Sequence, residues 1–96
     1  MHEQTSARRI ERIRAALAAA LEPQALEIVD ESHLHRGHAG AAGGAGHFRV
    51  KIVARSFAGQ SRVARHRAVY TALRAELGPE IHALALETLA PGEPGA

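Results

Sequence analysis

Residues Asp30–Arg49, DESHLHRGHAGAAGGAGHFR, separate two segments that have the alternating pattern of strands. Residues 24–31 alternate apolar with acidic side chains, and residues 47–54 alternate apolar with basic ones. Antiparallel pairing of the two segments would set opposite charges against each other. The connecting stretch contains five glycines and four of the seven histidines, so it is a long loop rich in metal-binding nitrogen. A loop of this length in a small domain is usually functional or disordered.

Two helices and a third strand are predicted outside this hairpin. The first helix begins at a Thr5 or Ser6 cap and ends near Glu22, before Pro23. The second runs over residues 62–77, and a third strand over residues 81–88 is apolar on both faces in its middle, so we expect it to be central or well covered. The predicted core stripes of the helices are Ile10, Ile13, Leu17 and Leu21 in the first, and Val63, His66, Tyr70, Leu73 and Leu77 in the second.

Composition indicates one domain, expected to span residues 5–89, with flexible termini at 1–4 and 90–96. The chain has no cysteine, which excludes disulfides, thiolate nucleophiles and metal binding through sulfur. No apolar run is long enough to span a membrane and no signal peptide pattern is present, so we expect a cytoplasmic protein with no membrane partner. The net charge of +2 does not by itself indicate a polyanion partner.

The order of elements predicts an α+β domain, α-β-β-α-β, with a three-stranded mixed sheet and both helices packed on one face. The connection from the second strand through the second helix to the third strand is a crossover, which should make those two strands parallel. Parallel strands start at the same end of a sheet. His82, at the start of the third strand, is therefore expected to lie near the histidine loop.

Four segments give the chain a specific resemblance to a known family, the BolA family, over roughly Ile10–Thr88. They are LEIVDESHLH (Leu26–His35), GHFRVKIV (Gly46–Val53), FAGQSRVARHRAVY (Phe57–Tyr70) and IHALALETL (Ile81–Leu89). The resemblance implies an αββαβ fold related to class II KH domains. It also implies a monothiol glutaredoxin as partner in iron–sulfur cluster handling and, for some members, DNA binding and transcriptional control of morphology and stress responses.

In the family that this chain resembles, one cluster ligand is the histidine that opens the third strand, which corresponds to His82. The second comes from the hairpin loop, and here the resemblance favours His38, with His35 next. The implied cofactor is a [2Fe–2S] cluster shared with the glutaredoxin, which brings glutathione; none is expected on the chain alone. Relatives usually continue into a short tryptophan-containing helix, which APGEPGA replaces here, so contacts made by that helix are in doubt.

Several alternatives stay open from the sequence. The loop could be a solvated connection whose histidines are incidental, or His33, His35 and His38 could bind zinc, although their spacing matches no strong motif. A DNA-binding regulator could use Arg62, Arg65 and Arg67 at the start of the second helix, and a weak homodimer is a further form of association. No arrangement typical of catalysis is present, so an enzyme is not expected.

Overall fold

The structure is a computed structural model that describes residues 2–35 and 44–96. Its elements are α1 (His2–Leu21), β1 (Ala25–Asp30), β2 (Gly46–Val53), α2 (Arg62–Ala72) and β3 (Ile81–Leu89), with short 3₁₀ helices at Ser32–His35 and Arg55–Phe57. The predicted element order and α+β class are confirmed. Within the described ranges, neither helix is long and apolar enough to cross a membrane.

The three strands form one mixed sheet in the order β1-β2-β3. β1 pairs with β2 antiparallel, and β2 pairs with β3 parallel, as the crossover predicted. Opposite charges meet across the hairpin, because Glu27 lies opposite Lys51 and Arg49 Nε donates to a Glu31 carboxylate oxygen at 3.0 Å. The expectation that β3 is central or well covered is wrong, since β2 pairs on both sides and leaves β3 at an edge, and most β3 residues are half-buried or exposed.

Both helices pack on one face of the sheet, as predicted. Every second side chain of β2 points to this face and packs in the core with residues of both helices; these are Phe48, Val50 and Ile52. Both helices, all three strands and the short turn at Arg55–Phe57 contribute side chains to one hydrophobic core. Its residues exposed by 1% or less are Ile13, Leu17, Phe48, Val50, Ile52, Ala54, Phe57, Val69 and Leu73.

The predicted core stripe of α2 is wrong in part. Val63 and Tyr70 are 65% and 41% exposed, whereas Val69 and Leu73 are fully buried. The alanines beside Val69 and Leu73 are small enough to let this face of α2 approach the sheet. α2 also ends at Ala72, short of residue 77, because the chain tightens into turns beyond it.

At both ends the described structure continues beyond residues 5 and 89, the predicted domain boundaries, which stay a prediction. α1 begins at His2. After β3, Ala90 is only 4% exposed, and both Glu93 carboxylate oxygens accept hydrogen bonds from Arg65, at 2.7 and 2.8 Å. The Arg65 hydrogen bonds, together with the Ala90 backbone N–H, lower the pKa of Glu93 to about 2. Residues 90–93 therefore contact the domain, while the flexibility of 1–4 and 90–96 stays a prediction.

Candidate functional site

The register between β2 and β3 slips by one residue at His82. Gly46 pairs with Ile81, but His47 pairs with Ala83, so His82 lies opposite no residue of β2. An extra residue of this kind bends a strand and re-aims its side chain. Because Ile81 and Leu84 are three positions apart, strict alternation could not place both on the core face. The slip does so and leaves His82 exposed.

The slip brings two imidazole rings together at the start of the parallel strands. The ring centroids of His47 and His82 are 5.3 Å apart, with planes tilted by 49°. His47 is only 8% exposed, whereas His82 is open to solvent. The prediction that His82 lies near the histidine loop is confirmed at His47, the last histidine of that stretch. The arrangement can offer two nitrogen ligands to one metal centre.

His47 was not among the ligands predicted from the sequence, although two signals pointed to it. It stands at the start of β2, and the parallel crossover places that start beside the start of β3. The sequence reasoning instead favoured histidines inside the loop. Those predictions remain open, because His38 lies outside the described residues and His35 ends a 3₁₀ helix with its side chain outside them. Among the side chains that the structure describes, those of residues 5–33 and 44–96, no three His, Asp or Glu groups lie closely enough together to hold a metal ion.

The two ends of the histidine loop are joined at a loop neck, which consists of Asp30, Ser32, Gly46 and His47. The His47 backbone N–H donates to Ser32 Oγ at 3.0 Å, and its carbonyl accepts from the Glu31 N–H at 2.7 Å. The Gly46 N–H donates to the Glu80 carbonyl at 3.0 Å, just before β3. The first two bonds close the loop neck, and the third joins it to the segment that leads into the strand carrying His82.

Gly46→Ala is expected to lower the free energy of unfolding by about 1–3 kcal/mol through overpacking. A Cβ at this position would lie 2.6 Å from Phe48 Cε2 and 2.9 Å from Ser32 Oγ. The Phe48 ring is buried and cannot move aside freely. Urea denaturation would measure the loss, and adding Phe48→Leu should reduce the penalty that Gly46→Ala imposes. An unchanged urea midpoint for Gly46→Ala would contradict the prediction, because it would show that Phe48 and Ser32 can move to accommodate the added methyl group.

An arginine cluster, Arg8, Arg9 and Arg12 of α1 around Glu80, lies beside the loop neck. Glu80 Oε2 accepts from Arg8 at 2.6 Å and from Arg12 at 2.9 Å, and Oε1 accepts from Arg9 at 3.4 Å. The Arg8 hydrogen bond outweighs the effect of burial and, with those of Arg12 and Arg9, lowers the pKa of Glu80 to about 2. Arg9 also donates to the Gly44 carbonyl at 2.6 Å. α1 is thereby fixed to the start of β3 and to the returning loop.

The three arginines predicted to bind nucleic acid are not equivalent. Arg62 and Arg67 are exposed, whereas the Arg65 guanidinium binds Glu93 and also donates to the Thr88 and Gln60 carbonyls. Arg65 therefore has a partner within the chain, and its hydrogen bonds join α2 to the C-terminal residues. A polar cleft of about 540 Å³ adjoins it, lined by Gln60, Arg62, Arg65, His66, Leu86, Glu87, Thr88 and Leu89. Its lining includes neither His47 nor His82.

Comparison with known proteins agrees with this architecture. A family model described as BolA-like protein matches residues 17–93. The chain is 51% identical to the "Uncharacterized protein in cobS 5'region" of Sinorhizobium sp, covering 88% of this chain and 92% of that protein. It is 45% identical to the DNA-binding transcriptional regulator BolA of Escherichia coli K12, covering 81% of this chain and 71% of that protein.

Among solved structures, the BolA domain of SufE1 from Arabidopsis thaliana matches with a TM-score of 0.75 and 40% identity, covering 86% of this chain and 92% of that one. Several other relatives are longer, and the chain spans only 55–58% of the BolA-like proteins of a plant and of mammals. The likeness to class II KH domains stays a prediction. The family match, the identities and the shared fold agree, and the chain belongs to the BolA-like family.

Proposed function

We propose that this protein is an accessory protein, not an enzyme, that binds a monothiol glutaredoxin and shares a [2Fe–2S] cluster with it. His82 is one ligand, and the second is an imidazole from the loop or from its end at His47. In this proposal the partner supplies the remaining ligands as a cysteine thiolate and glutathione. The cluster then serves iron–sulfur trafficking or iron and redox regulation.

The juxtaposition of His47 and His82 is the observation that supports this proposal most directly. Two imidazoles lie together at one end of the sheet, one of them exposed to a partner. A [2Fe–2S] cluster needs four protein or small-molecule ligands, and two imidazoles can occupy one iron, as in Rieske centres. The donor set of the described residues therefore fits half of a shared site. Such mixed ligation raises the reduction potential of a cluster relative to all-thiolate ligation.

The relatives support this proposal at the level of the BolA-like family. One solved relative is the BolA domain of SufE1, a domain within a larger protein. The proposal for this chain is finer than that likeness, because it names a partner, a cluster type and ligands. The absence of cysteine is consistent with a chain that contributes only imidazoles.

His82→Ala is expected to abolish the spectrum of the shared cluster, because an exposed, re-aimed ligand has no substitute in β3. The measurement is visible absorption and circular dichroism of the protein co-purified with a monothiol glutaredoxin, wild type against variant. Wild type should give a spectrum that differs from that of the glutaredoxin homodimer. Among His35→Ala, His38→Ala and His47→Ala, the variant that matches the effect of His82→Ala identifies the second ligand.

Two control variants make this result specific. His66→Ala removes a histidine from α2, and the double variant Arg62→Ala with Arg67→Ala removes two exposed cations from the same helix. Both should keep the cluster spectrum. If the two proteins fail to associate, or if His82→Ala leaves the spectrum unchanged, the proposal is wrong.

A second candidate function is DNA-binding transcriptional regulation. It is favoured by the E. coli relative of that name and by the exposed Arg62 and Arg67 on α2. Under this function the double arginine variant, and not His82→Ala, would reduce DNA affinity, and binding would weaken steeply with added salt. Under this function we expect Arg65 to contribute less than Arg62 and Arg67, since Glu93 already binds its guanidinium.

A further inference from the structure

We infer that Asp30 and Ser32 are positioning residues that hold His47 against His82. The importance of this role for cluster binding rests on the proposed function, but the geometry itself can be tested without a cluster. Neither residue is offered as a ligand. They act through the backbone of His47, the one residue of the imidazole pair that is buried.

Ser32 is the centre of the arrangement because its hydroxyl group is used twice. Its Oγ accepts the His47 backbone N–H at 3.0 Å and donates to Asp30 Oδ1 at 2.5 Å. The Ser32 backbone N–H donates to the same carboxylate oxygen at 2.8 Å. Only a hydroxyl side chain can accept from an amide and donate to a carboxylate with one atom. Alanine at this position would lose both bonds.

Asp30 extends the same chain of hydrogen bonds to α1. Its second oxygen, Oδ2, accepts from Ser6 Oγ at 2.6 Å. Burial raises the pKa of Asp30, but the hydrogen bonds from Ser32 and Ser6 outweigh it, so the net pKa lies below the usual range. The carboxylate is therefore an acceptor on both sides at neutral pH, and it connects α1 to the loop neck.

The backbone of His47 is consequently held at both of its polar groups. Ser32 accepts from its N–H, and the Glu31 N–H donates to its carbonyl. With the backbone fixed, the imidazole can move only about its own side-chain torsions, and burial restricts these. Ser32 also begins the short segment that contains His33 and His35. We call the hydrogen bonds that join Asp30, Ser32 and the His47 N–H the clamp. The clamp therefore fixes the backbone at the start of the histidine loop and at its end.

The test is nuclear magnetic resonance of the protein with isotope-labelled histidine. Wild type is expected to show a ring-to-ring NOE between His47 and His82, because their ring centroids are 5.3 Å apart. Ser32→Ala should lose this NOE, and Ser32→Thr should keep it, because threonine retains the hydroxyl. Asp30→Asn should also keep it, since an amide can accept from Ser32 through its oxygen and donate to Ser6 through its nitrogen. Asp30→Ala should lose it.

Ser61→Ala is the matched control for general destabilisation. Ser61 Oγ also accepts a backbone N–H, that of Ala64 at 3.1 Å, but it does so at the start of α2. This variant should be less stable than wild type and should keep the NOE. In the complex with glutaredoxin, Ser32→Ala should weaken cluster retention about tenfold, as changes behind metal-binding histidines typically do.

An NOE of unchanged intensity in Ser32→Ala would overturn the inference, as would its absence from wild type or its loss in Ser61→Ala. The inference and the proposed function can fail separately. If the NOE depends on Ser32 but no shared cluster forms, the clamp stands and the glutaredoxin proposal fails. If the cluster forms and Ser32→Ala retains both the cluster and the NOE, the clamp fails alone.

Discussion

Phe48→Ala is expected to lower the free energy of unfolding by about 3–5 kcal/mol, the usual loss for a buried aromatic ring. Phe48 is 1% exposed on the core face of the central strand, β2. The loss has two parts, the transfer of the ring out of water and the cavity that remains where neighbouring side chains cannot collapse. A domain typically has only about 5–15 kcal/mol of stability, so this one substitution would remove a large share of it.

Urea denaturation of Phe48→Ala would measure this loss directly, and Tm should fall by about 4–8 °C for each kcal/mol lost. Tyr70→Ala is the control, because it truncates an aromatic ring that is 41% exposed on α2. Its effect should be several times smaller. Equal losses in the two variants would contradict the assignment of Phe48 to the core. We also expect Phe48→Ala to loosen the loop neck, since the ring lies directly under Gly46.

Glu80→Gln is expected to cost about 1–3 kcal/mol at neutral pH, which is below the 3–5 kcal/mol of a fully buried pair. The glutamate is 7% exposed, and its loss as a charge leaves three arginines beside one another. Water screens the resulting repulsion in part, because the Arg8 and Arg12 side chains are 53% and 56% exposed. Glutamine keeps the size of the side chain, so the change tests charge and not volume.

The effect of Glu80→Gln should depend on pH in a defined direction. The pKa of Glu80 is about 2 in the folded protein, against an ordinary value of 4.5 in the unfolded chain. A carboxylate whose pKa is lowered by folding stabilises the protein fully above the unfolded value, and the contribution is lost as pH falls through the folded value. The difference between wild type and variant should therefore be constant above about pH 5 and shrink toward pH 2.

Glu11→Gln provides the control for Glu80→Gln. Glu11 pairs with Arg14 at 3.6 Å on the outside of α1, with its side chain 75% exposed. Exposed pairs of this kind contribute little, so this substitution should change stability by less than about 0.5 kcal/mol at any pH. A Glu80→Gln difference as small as that of Glu11→Gln would mean that the arginine cluster does not stabilise the start of β3.

Periodicity alone predicted most of the fold, because each element carries a clear apolar pattern. The α1 stripe through Ile13 and Leu17 and the alternation along β2 both place their residues in the core. In α2 the same reasoning failed, because alanines contribute weakly to any apolar pattern and yet decide which face approaches the sheet. Val63 and Tyr70 were predicted to face the core but are exposed, whereas Val69 is fully buried although it was not predicted; Leu73 was predicted correctly.

Topology predicted at which end of the sheet the candidate site lies, but not which side chains meet there. The parallel crossover indicated that His82 lies at the end of the sheet where the loop returns. The contact between the His82 and His47 rings accompanies a register slip of one residue, which no secondary-structure propensity encodes. The arginine cluster and the bond from Arg65 to Glu93 were also missed, because partners separated by 28 to 72 residues leave no local pattern. Such contacts become visible only once the elements are assembled.

The slip at His82 makes residue 82 an extra residue in β3, which the pairing with β2 does not need. Without residue 82, Ile81 would pair with Gly46 and Ala83 with His47 in an unbroken ladder, and Leu84 would still face the core. A deletion at this position would therefore make β3 more regular and leave its inward side chains in place. Selection for folding alone gives no reason to retain the extra residue, and its imidazole is what a deletion would remove.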